Sequence, residues 1–280
     1  KGKPREVYNL AYSKITDKDI QKENLIEFLN SDKKLEFSGI ENFNIEFKPK
    51  DFEGKLISFV GFGKGNILNK IEASRNFELQ EDEVGQGIVA APDKYFLVKN
   101  LDKFNNDERY YLKNYYTSSG KFVGGESKEF LFYISEKNFK NKNINDFPNI
   151  KKHFEHSKDI LREARIKYGT PDKPYFYLHR ERDENFFKKG PKIVCGVRVV
   201  SPSFYYTEAE YYGSRALNFI KTERVNLKYL TGLLNSHLAY FWLKNKGKQL
   251  GDLLQIDKAP LLNIPIHISK DKNQQKNIID

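Results

Sequence analysis

His153 and His156 stand three residues apart in "HFEH", on what reads as one side of a helix. Imidazoles at that spacing hold a metal when a third ligand and a supporting shell join them. No such cluster accompanies this pair, and both histidines read as structural. The single cysteine, Cys195, lies in the apolar run Ile193-Val194-Cys195-Gly196-Val197. One cysteine makes neither an internal disulfide nor a zinc cage, and a nucleophilic thiol wants an electropositive, partly open site, so Cys195 reads as a buried thiol. The carboxylates Glu81, Asp82 and Glu83, and again Asp183 and Glu184, are adjacent. Neighbours on a strand point to opposite faces, a poor geometry for an acid/base pair. Gly61, Gly63 and Gly65 precede a short helix as a phosphate loop would, but in a G-x-G-x-G spacing with no Gly-Lys-Ser/Thr after them; they read as a tight turn. With no Gly-x-Ser-x-Gly either, there is no catalytic, cofactor-binding or metal-binding residue to name. The chain reads as a binding module.

The charge points the same way. Among 280 residues, 48 Lys and Arg face 38 Asp and Glu, a net charge of +10, with a pI near 9.3 and a mean hydropathy of −0.70. That sign favours a polyanionic partner, although a general richness in Lys and Asn raises the pI as well. No apolar run approaches the roughly 20 residues of a membrane span. "KLISFVGFG" and "KIVCGVRVV" are strand-length. One cysteine and no signal-peptide pattern at Lys1 fit a reducing cytoplasm. The chain holds no Met, even at position 1, and so reads as an internal or C-terminal fragment.

Periodicity predicts a mixed α+β chain. "TDKDIQKENLIEFLNSDKK" is expected as a helix opened by Thr16 and Asp19, and "KLEFSGIENFNIEFKPKDF" as a strand or extended connector. From Glu83 the chain turns β-rich, with "GIVAA", "KYFLV" and "EFLFYIS" as strands. "FPNIKKHFEHSKDILREARIKYG" is expected as one basic helix from Pro148 to Gly169. Strands follow, and here basic and aromatic residues interleave most densely: Arg180, Arg182, Lys188, Lys189, Lys192, Arg198, Tyr205, Tyr206 and Arg215. "NLKYLTGLLNSHLAYFWLKNKGKQ" is expected as one long amphipathic helix with Leu227, Leu230, Leu233, Leu234, Leu238, Phe241 and Trp242 on its stripe. The domains are expected as a helical connector (1–75), a β-rich domain (76–268) and a polar, fraying tail (269–280). The loop "GQGIVAAPDKYFLV", residues 85–98, is either a plain turn or a place of close backbone approach.

The order "FPNIKKHFEHSKDILREARIKYG…KPYFYLHRERD…KGPKIVCGVRV", closed by "YYGSRALNFIKTERVNLKYLTGLLNSHLAYFWLKNKGKQLGDLLQIDKAPLLNIPI", resembles the TaqI-like C-terminal specificity domain of N6-adenine DNA methyltransferases of type II restriction–modification systems. The likeness spans about Glu83 to Ile268. Family members open with a Gly-Ile-x-Thr/Ala-Gly-x-Asn-Lys-x-Phe-like loop. Gly87 to Phe96 follow that pattern, departing at Ala91, where Gly is expected, and at Asp93, where Asn is expected.

The resemblance implies a target-recognition domain that reads double-stranded DNA. It further implies a methyltransferase domain in the same polypeptide, using S-adenosylmethionine, with or without a fused endonuclease. Neither an Asn-Pro-Pro-Tyr/Phe motif nor a convincing S-adenosylmethionine loop stands in this sequence, so the chain itself is expected to be non-catalytic and without cofactor. The residues expected at the DNA are Arg180, Arg182, Lys192, Arg198, Ser203, Tyr205 and Arg215, with Lys94 and Lys121 in second place. An RNA-binding or protein-docking module is the alternative.

Overall fold

The computed structural model describes residues 6–17, 19–31, 37–49, 65–117, 127 and 129–279. Gly61, Gly63 and Lys121 lie outside them. The chain divides into two compact units, Lys1–Lys70 and Ile71–Asp280. In the first, β1 (Tyr8–Ile15) and β2 (Ile40–Phe47) form an antiparallel pair with α1 (Lys22–Asn30) between them in sequence. Aromatic residues meet across this pair in register: Tyr8 with Phe47, and Tyr12 stacked on Phe43 at 6.1 Å. The connector is therefore a hairpin as well as a helix. The helix starts later than its expected cap, because Asp17 turns back to accept the Asp19 N–H at 2.9 Å. The helix α2 (Gly65–Ala73) spans the division.

The second unit is mixed α+β. Its elements in order are β3 (Val84–Gln86), β4 (Leu97–Val98), α3 (Asn106–Arg109), β5 (Leu112–Tyr116), β6 (Glu129–Phe132) and α4 (Glu136–Phe139). Then come α5 (Pro148–Glu155), α6 (Lys158–Lys167), β7 (Lys192–Gly196), β8 (Arg198–Val199), β9 (Phe204–Thr207), β10 (Tyr212–Gly213) and β11 (Leu217–Ile220). Last are α7 (Leu227–Leu234), α8 (His237–Lys246), β12 (Lys248–Leu250), β13 (Leu253–Gln255), α9 (Lys258–Asn263) and α10 (Lys272–Ile279). The strands make three sheets, in orders β10-β5-β6-β4, β3-β11-β7-β9 and β12-β13-β8. The aromatics go first to the core, where Phe96, Phe132, Phe139, Phe154, Phe187 and Phe219 are essentially inaccessible. β7 lies between β11 and β9 and is buried along its whole length, which explains its unbroken apolar run. The "NIPI" close returns to the start of the unit: Ile266 bridges Phe77, and the Asn76 amide clamps Ile268 at 2.7 and 3.0 Å.

Both long helices predicted from the sequence are broken. The basic one is α5 and α6, interrupted at His156 and Ser157. Its start is held by Glu108, a fully buried carboxylate that accepts from the backbone N–H groups of Asn149 (2.7 Å) and Ile150 (3.2 Å) and from the Asn149 side chain (2.8 Å). It ends as expected at Gly169, with φ +68. The leucine-rich one is α7 and α8. Asn235 ends α7, and its amide both accepts from Phe204 N and donates to Phe204 O, each at 2.8 Å, as a neighbouring strand would. Ser236 then caps α8 by accepting from Ala239 N at 3.2 Å. The break rotates the stripe, so Leu238 is 61% exposed while Ala239, Trp242 and Leu243 turn inward. The tail is likewise not frayed. It forms α10, capped by Asp271 and packed on α7, where a Cβ at Gly232 would stand 2.5 Å from Ile278.

Candidate nucleic-acid interface

The loop of residues 85–98 approaches its own chain. A Cβ on Gly87 would lie 1.9 Å from Ser214 O, so no other residue fits there without moving backbone. Gly87 N donates to Leu217 O at 2.9 Å and Ile88 N to Gly213 O at 2.8 Å. On the other side, Val89 exchanges both backbone hydrogen bonds with Arg180, at 3.0 and 2.9 Å. Residues 87–89 thus form a short two-sided ladder, with Ile88 bridging Ser214 and Val89 bridging Arg180, about 10 Å or two strand spacings wide. Ile88 points into the core. Val89 and its directly opposite partner Arg180 take the other face, and Arg180 is exposed. Arg215 is exposed in the turn after Ser214. Arg182 is half-buried with its Nε 3.4 Å from Gly87 O, and among the described residues it is one of two non-glycine residues with a left-handed backbone, φ 65.

The other is Ala91, φ 58, followed by a cis bond to Pro92. This is the position where the family-like pattern expects glycine, and the left-handed backbone is the reason. The stretch expected as the strand "KYFLV" is a 3-10 turn over Asp93–Tyr95 followed by the short β4. Lys94 is exposed on that turn, its Nζ 4.7 Å from the centre of the Tyr95 ring.

Beside the Ser214 turn three half-buried tyrosines gather. Tyr116 and Tyr211 stack at 3.8 Å with 13° between the planes, and Tyr205 stands 6.5 Å from Tyr211. Ser214 N donates to Tyr116 O at 2.9 Å, which ties the group to the ladder. Burial, then the neighbouring Tyr116 and Tyr205, push the Tyr211 hydroxyl up to about 12, and burial raises Tyr116 too. Both are neutral hydrogen-bond donors at pH 7. Tyr116 and Tyr211 escaped the sequence reading, although "NYYT" and "EYYGSR" carry a visible signal.

The remaining expected residues lie elsewhere. Ser203 is half-buried just before β9. Arg198 is exposed on β8, in the third sheet, in register with Gln255. Lys192 departs from expectation: it is fully buried, and its Nζ donates to Gly190 O at 2.8 Å and Ala209 O at 2.6 Å. Burial, together with the nearby Lys221, lowers its pKa to about 8. It closes a turn and presents no cation to a phosphate. His153 holds Tyr95 O at 2.8 Å against Phe132. Cys195 is inaccessible, its thiol pushed up to about 12 by burial. Among the described residues no three His, Cys, Asp or Glu side chains converge as a metal site, and no helix is long and apolar enough to cross a membrane.

The second unit is thus an α+β fold with exposed arginines and half-buried tyrosines gathered beside the bridges at residues 88–89. The chain belongs to the TaqI-like C-terminal specificity domain family, whose model matches residues 93–266, well over half of it. It is 27% identical over 214 residues to the type II methyltransferase M.HindII of Haemophilus influenzae, a match covering 71% of this chain and 40% of that protein. It is 30% identical over 159 residues to the type II methyltransferase M.HincII of the same species, covering 52% of this chain and 31% of that one. The chain thus spans less than half the length of these relatives. In three dimensions it is similar to the type IIL restriction–modification enzyme MmeI, solved in complex with DNA, with a TM-score of 0.52 and 14% identity over 84% of this chain and 30% of the other.

Proposed function

We propose that this chain is the DNA-reading part of a site-specific, adenine-N6 methyltransferase of a restriction–modification system. The observation that carries the proposal is the family match over residues 93–266; the ladder that gathers Arg180, Arg182 and Arg215 around Gly87–Val89 supports it. Type II methyltransferases among the relatives and a DNA-bound structural neighbour support the same reading.

In this reading the exposed arginines and Lys94 neutralise phosphates and set the register on the duplex. Arg198, Ser203 and Tyr205 stay as candidates for further contacts, and the Tyr116–Tyr211 pair, whose hydroxyls stay protonated, joins Tyr205 in facing the bases or sugars. S-adenosylmethionine and the extrusion of the target adenine belong to a methyltransferase domain of the same polypeptide; this chain's side chains hold and orient DNA and transfer no group. The cytoplasm, where the cell's DNA is, is the expected location.

The test is binding of this chain to a cognate duplex, a scrambled duplex and duplex RNA across a salt series. We expect log K to fall linearly with log salt, by about 0.9 for each phosphate neutralised, with RNA a poor competitor. No binding at low salt, or binding indifferent to salt, refutes the reading.

A further inference from the structure

His179 has several cations near it. Arg165 of α6, Lys173 of the following loop, and Arg180 and Arg182 beside it in sequence all act on the imidazole. Glu181 is paired with Lys173 at 3.2 Å. The arrangement is built, not a loose surface patch. Arg165 is 4% exposed and donates to Tyr177 O. Lys173 Nζ donates to His179 O at 3.2 Å. The imidazole lies 5.1 Å from the Tyr168 ring, and its Nδ1 is buried with no protein partner. Arg180, next to His179, also bridges Val89, and Arg182 has a left-handed backbone with its Nε 3.4 Å from Gly87 O. Like charges gathered at this density need a counter-charge.

We propose that this cluster is the seat of one phosphate group of the DNA backbone, with Lys173, Arg180 and Arg182 as its cationic walls and His179 as a positioning residue that takes up a proton from solvent when the phosphate arrives. The inference rests on the DNA-reading proposal and extends it by naming the seat and its proton linkage. Desolvation by burial, then Arg180, Arg165, Lys173 and Arg182, hold the imidazole below its ordinary range, so it is neutral in the free protein at pH 7. A bound phosphate cancels that repulsion and favours the charged form. Linkage then requires tighter DNA binding as pH falls, by up to tenfold per pH unit between the free and bound His179 values.

The experiment uses the full 280-residue chain and a duplex at fixed ionic strength. Affinity is measured from pH 8.5 to 5.5, and the His179 imidazole is followed by NMR, its resonance identified by its loss in His179→Gln. Support is a His179 pKa that rises by about one unit or more on adding duplex, with an affinity gain on acidification that His179→Gln lacks. Duplex bound with an unmoved His179 pKa and parallel pH profiles overturns the seat while leaving DNA reading intact. No duplex bound by either protein at low salt overturns DNA reading, and the seat with it. Should His179→Gln fail to fold, Arg180→Gln decides: it must raise the free His179 pKa and shrink its shift on DNA, and an unchanged shift overturns the seat.

Discussion

Arg180 and Lys192 are two basic residues in the same aromatic, turn-rich stretch, and in sequence they invite the same reading. Their structural neighbourhoods differ in kind. Arg180 pairs its backbone with Val89 and leaves its guanidinium in solvent. Lys192 begins a strand buried on both faces, and its ammonium is folded back onto two carbonyls. The buried Lys192 ammonium takes the two turn carbonyls within reach, because a cation drawn out of water needs hydrogen-bond partners. A cation on the outer face of a ladder keeps its donors for a partner.

The largest predicted effect strikes what both neighbourhoods depend on. Gly87→Ala drives a methyl group into Ser214 O and separates the strands that carry the arginines. We expect a loss of about 3 kcal/mol or more in chemical denaturation, and native stability in this variant would contradict the ladder. Next, Lys192→Ala leaves Gly190 O and Ala209 O without their donor and should cost about 2–3 kcal/mol, with the salt slope of DNA binding unchanged. Arg180→Ala should do the reverse: stability within about 0.5 kcal/mol of the parent and a salt slope reduced by about 1. If the two variants behave alike, the distinction fails.

A third prediction concerns Glu83, another buried charge that the fold satisfies. Burial acts to raise its pKa, but hydrogen bonds from Arg224 (2.7 Å), Thr222 and Gln80 N (2.8 Å) outweigh it and hold the carboxyl at about 2, against an ordinary 4.5. Its unfolded form binds the proton more readily, so this stabilisation is complete above about pH 4.5 and is lost as pH falls towards 2. Discounting for the part-exposed Arg224, it amounts to about 2–3 kcal/mol. Acid titrations of stability should show the step, and Glu83→Gln should flatten it. The smallest effect is at Ala91: glycine there removes the left-handed penalty and should stabilise by about 0.5–1 kcal/mol, and a loss of stability would mean the φ of 58 is wrong.

Much of the fold was legible. β7 is as buried as its apolar run implies, Pro148 opens a helix and Gly169 ends one, and the family-like order pointed to the right family. The strand β1 was missed although Tyr8, Leu10 and Tyr12 alternate with the smaller or polar Asn9, Ala11 and Ser13. The helix breaks were missed because a leucine stripe continues through Asn235-Ser236. What splits it is a pair of hydrogen bonds to Phe204, 31 residues away, which no local period reports. The polar tail reads as fraying, yet it forms α10 against α7, where Gly232 leaves room for the partly exposed Ile278.

By itself the sequence determined the basic, aromatic character of the second half and the family. Those follow from composition and from motif order. Only the tertiary structure decided which cations face outward. Whether a lysine or an arginine is free depends on carbonyls and strands that arrive from far along the chain: Ala209 for Lys192, Val89 for Arg180, and Arg165 and Lys173 for His179.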